Sequence, residues 1–516
     1  MKLIKNIGLI VFVVGLTIFT ASSFFGHFEL KKETFLQEVE LLTANGKIKP
    51  AIAERLKTNF DSADVLDASF ENPISFSNAI ITIYDGLNNE IKAQHDWDNV
   101  MYASSSDFAF SLARQSADTL FIRSPWLMFF LTFGLAILGG LMYSLPNVIL
   151  LGPAGIKNDH IFQNQATNRG WVGIVVFVYL VGFYVILYFY HHYLVNQIEV
   201  VNPISKALSG NASSHWFLYG FMYCTVMLVM SIRMFIKYRH NRYQIIRTIS
   251  VLFFQIAFAF LIPEILVRFN LPYMDFKNAW PLDYDFFYSY NIQQLQDQGL
   301  IGSAMLIWGV LLTVVIVPVF VYLYGKRWYC SWVCGCGGLA ETLGDPYRQL
   351  SSKTLASWKL ERWLIHGVLV FATVMTVVTI GAHVSNSEDF LGIPTYSLTS
   401  VYGFLIGSIF SGVIGTGFYP ILGNRTWCRF GCPLAAYMGI VQRYKSRFRI
   451  TTNGGQCISC GNCSTYCEQG IDVRAYAQKG ENIVRASCVG CGVCAAVCPR
   501  GVLKLENGPE IGRING

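Results

Sequence analysis

The C-terminal end of the chain carries two cysteine runs with the same spacing. The first is CISCGNCSTYC at residues 457–467, and the second is CVGCGVCAAVC at residues 488–498, followed by Pro499. Both runs follow the pattern C-x2-C-x2-C-x3-C, and together they hold eight of the 14 cysteines of the chain. Zinc sites pair two C-x2-C hooks and do not need a third cysteine in each run. The spacing therefore favours iron–sulfur clusters over zinc knuckles or a disulfide scaffold.

The two runs resemble the cluster-binding sequence of bacterial two-cluster ferredoxins. In those proteins the first three cysteines of one run share a cube with the fourth cysteine of the other run. The resemblance assigns four thiols to a first [4Fe–4S] cluster: Cys457, Cys460, Cys463 and Cys498. It assigns four more to a second [4Fe–4S] cluster: Cys488, Cys491, Cys494 and Cys467. Such clusters carry single electrons and need thiolates, so we expect the module to lie in a reducing compartment.

The composition of the chain is that of a membrane protein. Of its 516 residues, 53% are hydrophobic and only 14% are charged, whereas a soluble domain has about a quarter charged residues. The net charge of +7 could indicate nucleic acid as a partner, but the basic residues cluster beside apolar segments. We therefore expect membrane lipid, and no nucleic acid, among the partners.

Eight apolar segments are long enough to cross a bilayer, which requires about 20 residues each. They are residues 4–25, 125–146, 171–194, 215–236, 248–268, 300–324, 363–384 and 400–422. The sequence thus predicts an α-helical polytopic membrane protein with about eight spans.

Positive charge indicates the orientation of these spans. Basic residues are frequent in the loops after the second, fourth and sixth segments, and sparse in the loops 195–214, 269–299 and 385–399. By the positive-inside rule, the N-terminus and the C-terminal module lie in the cytoplasm, and residues 27–124 are exported across a bacterial inner membrane. Lys2 and Lys5 near the start of the first apolar segment would also suit a signal peptide, but the length of the apolar stretch favours an uncleaved anchor.

The exported segment 27–124 has ordinary polarity and predicts a small α+β domain of sensor or docking type. Apolar spacing predicts helices at 33–58 and 107–122. The run at 80–84, followed by Asp85-Gly86, predicts a strand and turn, with residues 90–93 as the returning strand. We find no metal or catalytic constellation in this segment.

These observations predict five regions. They are an anchor at 1–26, the exported domain at 27–124, spans two to six at 125–324, inner-face cysteine motifs with spans seven and eight at 325–445, and a two-cluster ferredoxin-like α+β module at 446–516.

Five further cysteines follow the sixth and eighth spans, at the predicted inner face. They are Cys330, Cys334 and Cys336 in the first motif and Cys428 and Cys432 in the second. The matching C-x3-C spacing after a span suggests an internal repeat, with both thiols of a motif on one face if the segment is helical. Three interpretations stay open: a third iron–sulfur centre that uses four of the five thiols, redox-active dithiol pairs, or inert buried thiols.

The combination of inner-face motifs and a C-terminal module resembles the membrane-bound polyferredoxins of the NapH and NosR kind, over residues 300 to 500. Oxidase-assembly ferredoxins of the CcoG/RdxA kind share these motifs. The resemblance implies electron transfer linked to the quinone pool or to a partner redox protein.

The sequence also departs from this family. Gly335 stands where the family has proline, Cys336 is an additional thiol, and Glu468 replaces the proline after the fourth cysteine of the first run. A carboxylate there would lower the potential of the nearby cluster. The exported segment has no flavin-attachment motif of the NosR kind, so covalent FMN is not supported.

Haem would be another way to carry electrons across the bilayer. His366 and His383 lie 17 residues apart on the seventh span, about 25 Å along a helix. His240 could meet His366 on the inner side, and one of three histidines could meet His383 on the outer side: His191, His192 or His215. No motif supports haem b beyond these positions, and we disfavour it.

Intramembrane carboxylates are candidate proton acceptors for a quinone site. Glu264 lies in the fifth span with Arg268 one turn later, which also allows a purely structural ion pair. On the inner side, Glu341 and Asp345 are the corresponding candidates.

The sequence therefore predicts an iron–sulfur protein that relays electrons between the quinone pool or a cytoplasmic donor and an unidentified redox partner. The direction of flow stays open, as does an enzymatic activity of the quinol-dehydrogenase type. The alternatives are a reductive assembly factor for a metalloenzyme and a redox sensor.

Overall fold

The computed structural model describes residues 2–101 and 103–508. The chain divides into two compact units. Unit 1 comprises Met1–Pro146 and Val185–Tyr219, and unit 2 comprises Asn147–Tyr184 and Gly220–Gly516.

Among residues 2–101 and 103–508, eight helices are long and apolar enough to cross a membrane, which confirms the predicted count. They are Lys2–Phe24, Pro125–Leu150, Trp171–Phe189, His215–Lys237, Arg242–Arg268, Gly299–Tyr324, Leu355–Ser385 and Thr395–Gly417, called spans 1 to 8 below. Spans 5 and 7 begin earlier than predicted, at 242 rather than 248 and at 355 rather than 363. Their first turns are polar, so the hydropathy of the sequence does not include them in the spans. The side chain of Asn241 caps the start of span 5, and that of Thr354 caps the start of span 7.

Spans 5 and 6 each contain a stretch of wider π-type turns, at Phe254–Leu261 and Leu312–Ile316. Pro263 and Pro318 follow these stretches directly, at the start of the α-helical turns that resume the span. Because proline offers no backbone N–H, a local change in hydrogen-bond pattern lets each helix continue past it.

In unit 1, the segment after span 1 folds into a mainly helical domain. Its helices are Lys32–Ala44, Pro50–Ser62, Pro73–Ala93 and Ser105–Ser116. A short antiparallel sheet has His27–Glu29 at its centre, flanked by Ser69–Phe70 and Ala117–Asp118. Phenylalanine rings fill much of the core, and those of Phe35 and Phe60 stack with centroids 4.4 Å apart.

The strand and hairpin predicted at 80–93 are wrong, because Pro73–Ala93 is one helix. Ile80, Tyr84, Leu87 and Ile91 recur at helical spacing and are all buried in the core. Asn72 caps the helix through its side chain, which accepts a hydrogen bond from the Ser75 N–H. The helix predicted at 33–58 is in fact two, since Pro50 begins a second one.

In unit 2, short helices follow spans 6 and 8 and carry the inner-face cysteine motifs. After span 6 come Arg327–Cys330, Gly335–Glu341 and Asp345–Leu350, and after span 8 come Tyr419–Leu422 and Pro433–Lys445. The C-terminal module pairs Phe448–Thr452 with Leu503–Asn507 in an antiparallel sheet, with Phe448 opposite Asn507. Between these strands lie the helices Asn462–Thr465, Val473–Lys479 and Val493–Ala496.

The segment 269–299, predicted to be an outer loop, packs partly inside unit 2. Ala279 is buried in the apolar cluster that contains Cys330, Cys334 and Cys432. The indole N–H of Trp280 donates to the Thr376 hydroxyl of span 7 over 2.8 Å. The charge pattern did not reveal this path because Lys277 is neutralised locally by Asp275, at 2.7 Å.

The helix at 73–93 can be tested at Gly86, where an added Cβ would meet no atom within 4 Å. Within a helix, Gly86→Ala stabilises by about 0.5–1 kcal/mol, whereas it would strain the turn of a hairpin. We therefore expect the amides of residues 73–93 to exchange hydrogen more slowly in Gly86→Ala than in the wild type, as measured by mass spectrometry on the whole chain. Gly46→Ala is the matched control, since Gly46 has a φ of +68° and the same change there should speed exchange locally. Faster exchange in Gly86→Ala would contradict the helix.

Candidate iron–sulfur sites

The first cavity of the C-terminal module is lined by the four thiols that the resemblance assigns to a first cluster. Cys457, Cys460, Cys463 and Cys498 surround about 360 Å³ of empty space, counting the part open to solvent. The loop between the first two thiols turns at Ser459, whose φ is +59°. The side-chain amide of Gln478 donates to the Ser459 hydroxyl over 2.6 Å and thereby holds this loop in place.

A second cavity of about 390 Å³ is lined by Cys467, Cys488, Cys491 and Cys494. Segments outside the module cover it. The Ser331 hydroxyl donates to the Val489 carbonyl over 2.8 Å, and the Tyr243 hydroxyl donates to the Gly490 carbonyl over 2.9 Å. Span 5 and the first inner-face motif thus cover the loop that carries Cys488 and Cys491.

The chemistry of both cavities fits a [4Fe–4S] cube. Each offers four sulfur donors in largely apolar surroundings, and backbone N–H groups point at ligand sulfurs. Those of Gln469 and Ile471 face the Cys467 sulfur, and that of Gly490 faces the Cys488 sulfur. Such N–H···S bonds stabilise the negative charge of a thiolate-bound cluster and help to set its potential.

The inner-face thiols gather in one apolar cluster of unit 2. Four are buried, namely Cys330, Cys334, Cys428 and Cys432, and the fifth, Cys336, is half-buried. The two motifs are similar in structure as well as in sequence. Cys334 and Cys432 each stand in extended conformation immediately before a helix. The condition for both thiols of a motif to share one helix face is therefore not met, because the second cysteine is extended rather than helical.

The contacts of these thiols differ. The Ala435 N–H donates to the Cys432 sulfur over 3.4 Å, and the Arg425 guanidinium donates to the Cys428 sulfur over 3.7 Å. A hydrogen bond from the Cys336 thiol lowers the pKa of Cys334 below its usual range in spite of its burial. Burial raises the pKa of Cys330 to about 12. This set of five thiols could supply four ligands to a cluster and also contains one hydrogen-bonded dithiol.

A buried network of charges joins the inner-face motifs to the second cavity. Arg425 pairs with Glu468 at 2.9 Å and with Glu341 at 2.8 Å, while Arg247 reaches Glu341 at 2.8 Å. Arg348 bonds to both of these glutamates as well. All five side chains are almost completely excluded from solvent. Removing one partner from such a network costs about 3–5 kcal/mol, because the others are left charged in a medium of low polarity.

The same network argues against Glu341 and Asp345 as proton acceptors. Burial alone would raise the pKa of Glu341, but three arginines hold it well below the usual range. Asp345 behaves likewise, since burial opposes ionisation but Lys237, Arg233 and Arg348 keep its pKa far below normal. A carboxylate held ionised in this way is a poor base near neutral pH.

The other residues singled out from the sequence lie apart from the thiol centres. Glu264 is half-buried in span 5. The His366 ring bonds through Nδ1 to the Arg362 carbonyl of its own helix, 2.8 Å away. His383 is half-buried near the end of span 7, and His240 is exposed. Within the described residues no hydrogen bond or ring contact joins His240 to His366.

Two groupings escaped the sequence analysis. In unit 1, His191 bonds to Asp107 at 3.0 Å and stacks on His215 with ring centroids 4.1 Å apart. In unit 2, a large apolar cavity lies between spans 5 and 6, with about 1280 Å³ of empty space when the part open to the surroundings is counted. Its lining includes Trp328 and Trp332, which flank Cys330 in the sequence. Both groupings depend on residues distant in sequence, so no local motif reveals them.

Comparison with known families agrees with this geometry. Residues 449–499 match the model of the 4Fe-4S dicluster domain, and residues 306–354 and 402–451 match that of a 4Fe-4S binding domain. The latter two segments contain the two inner-face motifs. The chain is therefore a multi-pass membrane protein with iron–sulfur binding domains.

Particular relatives point the same way. The chain is similar to a putative electron transport protein, YccM, of Escherichia coli, with 28% identity over 29% of this chain and 43% of the relative. It is similar to a methylamine utilization ferredoxin-type protein, MauN, of Methylobacillus flagellatus, with 28% identity over 33% of this chain and 59% of the relative. It is also similar to the ferredoxin-type protein NapH of Haemophilus influenzae, with 24% identity over 33% of this chain and 58% of the relative.

These alignments confirm the resemblance to ferredoxin-type membrane proteins. The chain spans about half the length of the curated relatives it matches. No solved structure matches it.

The influence of Glu468 on the second cavity can be measured directly. In Glu468→Gln one negative charge is lost beside Cys467, so we expect the potential of the centre held there to rise by tens of millivolts, on the order expected at an effective dielectric constant of about 20. EPR-monitored potentiometry gives this value. Glu506→Gln, in the last strand, is the matched control and should leave the potential of the second centre unchanged. An unchanged potential in Glu468→Gln would show that the arginines fully screen the carboxylate.

Proposed function

We propose that this chain is a membrane-embedded electron relay. It would exchange single electrons between the quinone pool and a redox protein, through two [4Fe–4S] clusters in the C-terminal module and a third centre at the inner-face thiols. The observation that carries the proposal is the convergence of four cysteines, three from one run and one from the other, on each of two cavities.

The contacts around the second cavity support an internal path. Ser331, next to Cys330, bonds to the loop that carries Cys488 and Cys491. Arg425 contacts the Cys428 sulfur on one side and Glu468, next to Cys467, on the other. Few atoms thus separate the inner-face thiols from the second cavity, and this short path favours electron transfer between them.

A third iron–sulfur centre would take four of the inner-face thiols as ligands: Cys330, Cys334, Cys428 and Cys432. The matches of both motif segments to a 4Fe-4S binding domain support this choice over inert thiols. Cys336 would then remain outside the cluster and hydrogen-bond to the sulfur of Cys334.

The apolar cavity between spans 5 and 6 suits a quinone. Small-molecule sites are typically concave and apolar, with a few polar groups that orient the ligand. Here Lys277, Arg327 and the indole of Trp328 supply those groups among many aromatic side chains. Trp328 Nε1 is buried without a hydrogen-bond partner among the described residues, so it could donate to a quinone carbonyl.

The topology that we propose follows from the charge pattern. The C-terminal module would lie in the cytoplasm and residues 27–124 on the outer side of a bacterial inner membrane, since basic residues concentrate in alternate loops. Only the cytoplasmic side keeps the cluster thiols reduced.

A second candidate function is reductive assembly of a metalloenzyme. It is favoured by one observation, the position of Cys334 and Cys336 one residue apart in the same apolar cluster, where they could act as a reducing dithiol. This function requires the pair to be free of metal, so the metal content of the inner face decides between the two functions.

Iron analysis of anaerobically purified protein tests the third centre. Three cubes correspond to about twelve irons per chain, and two to about eight. We expect about twelve in the wild type and about eight in Cys428→Ser/Cys432→Ser, with the EPR signals of the two module clusters retained. Cys224→Ser is the control, because this buried thiol of span 4 lies outside the cluster of inner-face thiols. About eight irons per chain in the wild type would contradict the third centre and would mean that the inner-face thiols hold no cluster.

The quinone site is tested by reduction with a short-chain quinol analogue. Trp328→Phe removes one neutral hydrogen bond, so we expect the KM for the quinol to rise up to about tenfold while reduction by dithionite is unaffected. Trp363→Phe, at an exposed position of span 7, should behave as the wild type. Equal KM values in all three proteins would exclude this cavity as the quinol site.

A further inference from the structure

The two cysteine runs are equivalent in sequence, but their surroundings are opposite. In the second run, Val489 follows the first cysteine and is 1% exposed. Its counterpart in the first run, Ile458, is 57% exposed, and the neighbouring Cys460 is also exposed. One cluster loop is therefore covered by the chain itself, and the other faces outward.

Close packing against the second loop shows how complete this cover is. A Cβ on Gly490 would lie 2.5 Å from the Cβ of Arg327, and one on Gly492 would lie 2.8 Å from the Tyr243 ring. The counterparts in the first loop are Ser459, which is exposed, and Gly461, where a Cβ would meet nothing closer than 3.9 Å. Only the second loop is shaped to receive another segment of this chain.

The residues after the fourth cysteine of each run repeat the contrast. Glu468 and Gln469 are buried, and a Cβ on Gly470 would lie 2.3 Å from the Ser352 carbonyl. The counterparts after Cys498 are Pro499, Arg500 and Gly501; all three are exposed, and a Cβ on the glycine would meet no atom within 4 Å.

The charge at the two ends is opposite as well. At the covered end, the module contributes the acidic Glu468, which pairs with Arg348 and Arg425. At the open end, the cavity is lined by Arg474 and Arg500, both exposed and without an ion pair among the described residues. An acidic group on a partner protein could pair with these two arginines, as Glu468 pairs with Arg348 and Arg425 at the covered end.

We propose that the exposed rim of the first cavity, formed by Ile458, Arg474 and Arg500, is the docking surface of a small, soluble, acidic one-electron carrier protein. The proposal rests on the relay function above and specifies the chemistry of its soluble partner. In each encounter the carrier loses one electron and the centre held by the first four thiols gains it, or the reverse, and no bond is made or broken.

The architecture of the rim suits such a transient complex. It combines one exposed apolar side chain, Ile458, two positions before the exposed Cys460, with two exposed cations. Complementary charge accelerates association and orients the partner, while a small contact area allows rapid release. The loop itself is held by the bond from Gln478 to Ser459, so the surface is formed before the partner arrives.

Stopped-flow reduction of the purified full-length protein, in neutral detergent, tests the docking surface. The probe is a reduced, acidic plant-type [2Fe–2S] ferredoxin. For Arg474→Glu/Arg500→Glu we expect the second-order rate constant to fall about tenfold and to lose its decrease with added salt. The control is Arg443→Glu/Lys445→Glu, which makes the same change in charge at exposed positions outside the cavity and should react as the wild type.

Reduction by methyl viologen radical, read by EPR, separates this proposal from the relay function. In both double variants, this small reductant should reduce the clusters to the same extent as in the wild type. The docking proposal is wrong, and the relay function stands, if methyl viologen reduces the clusters but ferredoxin reduces the wild type and Arg474→Glu/Arg500→Glu at the same rate. If the two double variants are slowed equally, overall charge and not this rim governs the encounter, which also overturns the proposal.

Nanodiscs distinguish a protein partner from the lipid surface as the occupant of the rim. With the protein partner proposed, the wild-type rate in phosphatidylglycerol discs stays above that of Arg474→Glu/Arg500→Glu. If anionic lipid lowers the wild-type rate to that of the variant, while phosphatidylcholine discs do not, the arginines bind headgroups and the proposal fails.

Discussion

The rest of unit 2 depends on one constraint, the pairing of charges that are removed from water together. Arg247, Arg348, Arg425, Glu341 and Glu468 are all close to fully buried, and they come from span 5, both inner-face motifs and the C-terminal module. No single one of these segments can neutralise its own charge. Burial is therefore favourable only when all of them have reached their places, since an unpaired buried charge costs several kcal/mol.

This requirement gives the network a role beyond stability. An apolar interface would tolerate sliding of the module across the inner face, whereas paired charges with directional hydrogen bonds define one position. That position brings Cys491 against the apolar cluster that contains Cys330, and it leaves the first cavity at the other end of the module open. The two otherwise equivalent cluster loops thereby acquire different roles, one facing inward and the other facing solvent.

Local reasoning succeeded where the chemistry depends on spacing along the chain. The cysteine spacing predicted two sets of four thiols, each of which lines one cavity, and apolar length predicted eight spans. It failed at residues 80–84, where β-branched residues favoured a strand, because the burial of Ile80, Tyr84 and Leu87 on one helical face outweighs local propensity. The sequence also carried no sign that part of 269–299 packs inside unit 2, where Ala279 is buried and Lys277 pairs with Asp275.

By itself, the sequence determined the type of cofactor, the membrane class and the division into spans and a C-terminal module. These properties depend on the identity and spacing of neighbouring residues, so they can be read along the chain. Only the tertiary structure decided which cluster loop is covered, how the five inner-face thiols meet, and that Glu468 lies among arginines. These are relations between residues 40 to 250 positions apart, created when buried charges and apolar surfaces find their partners.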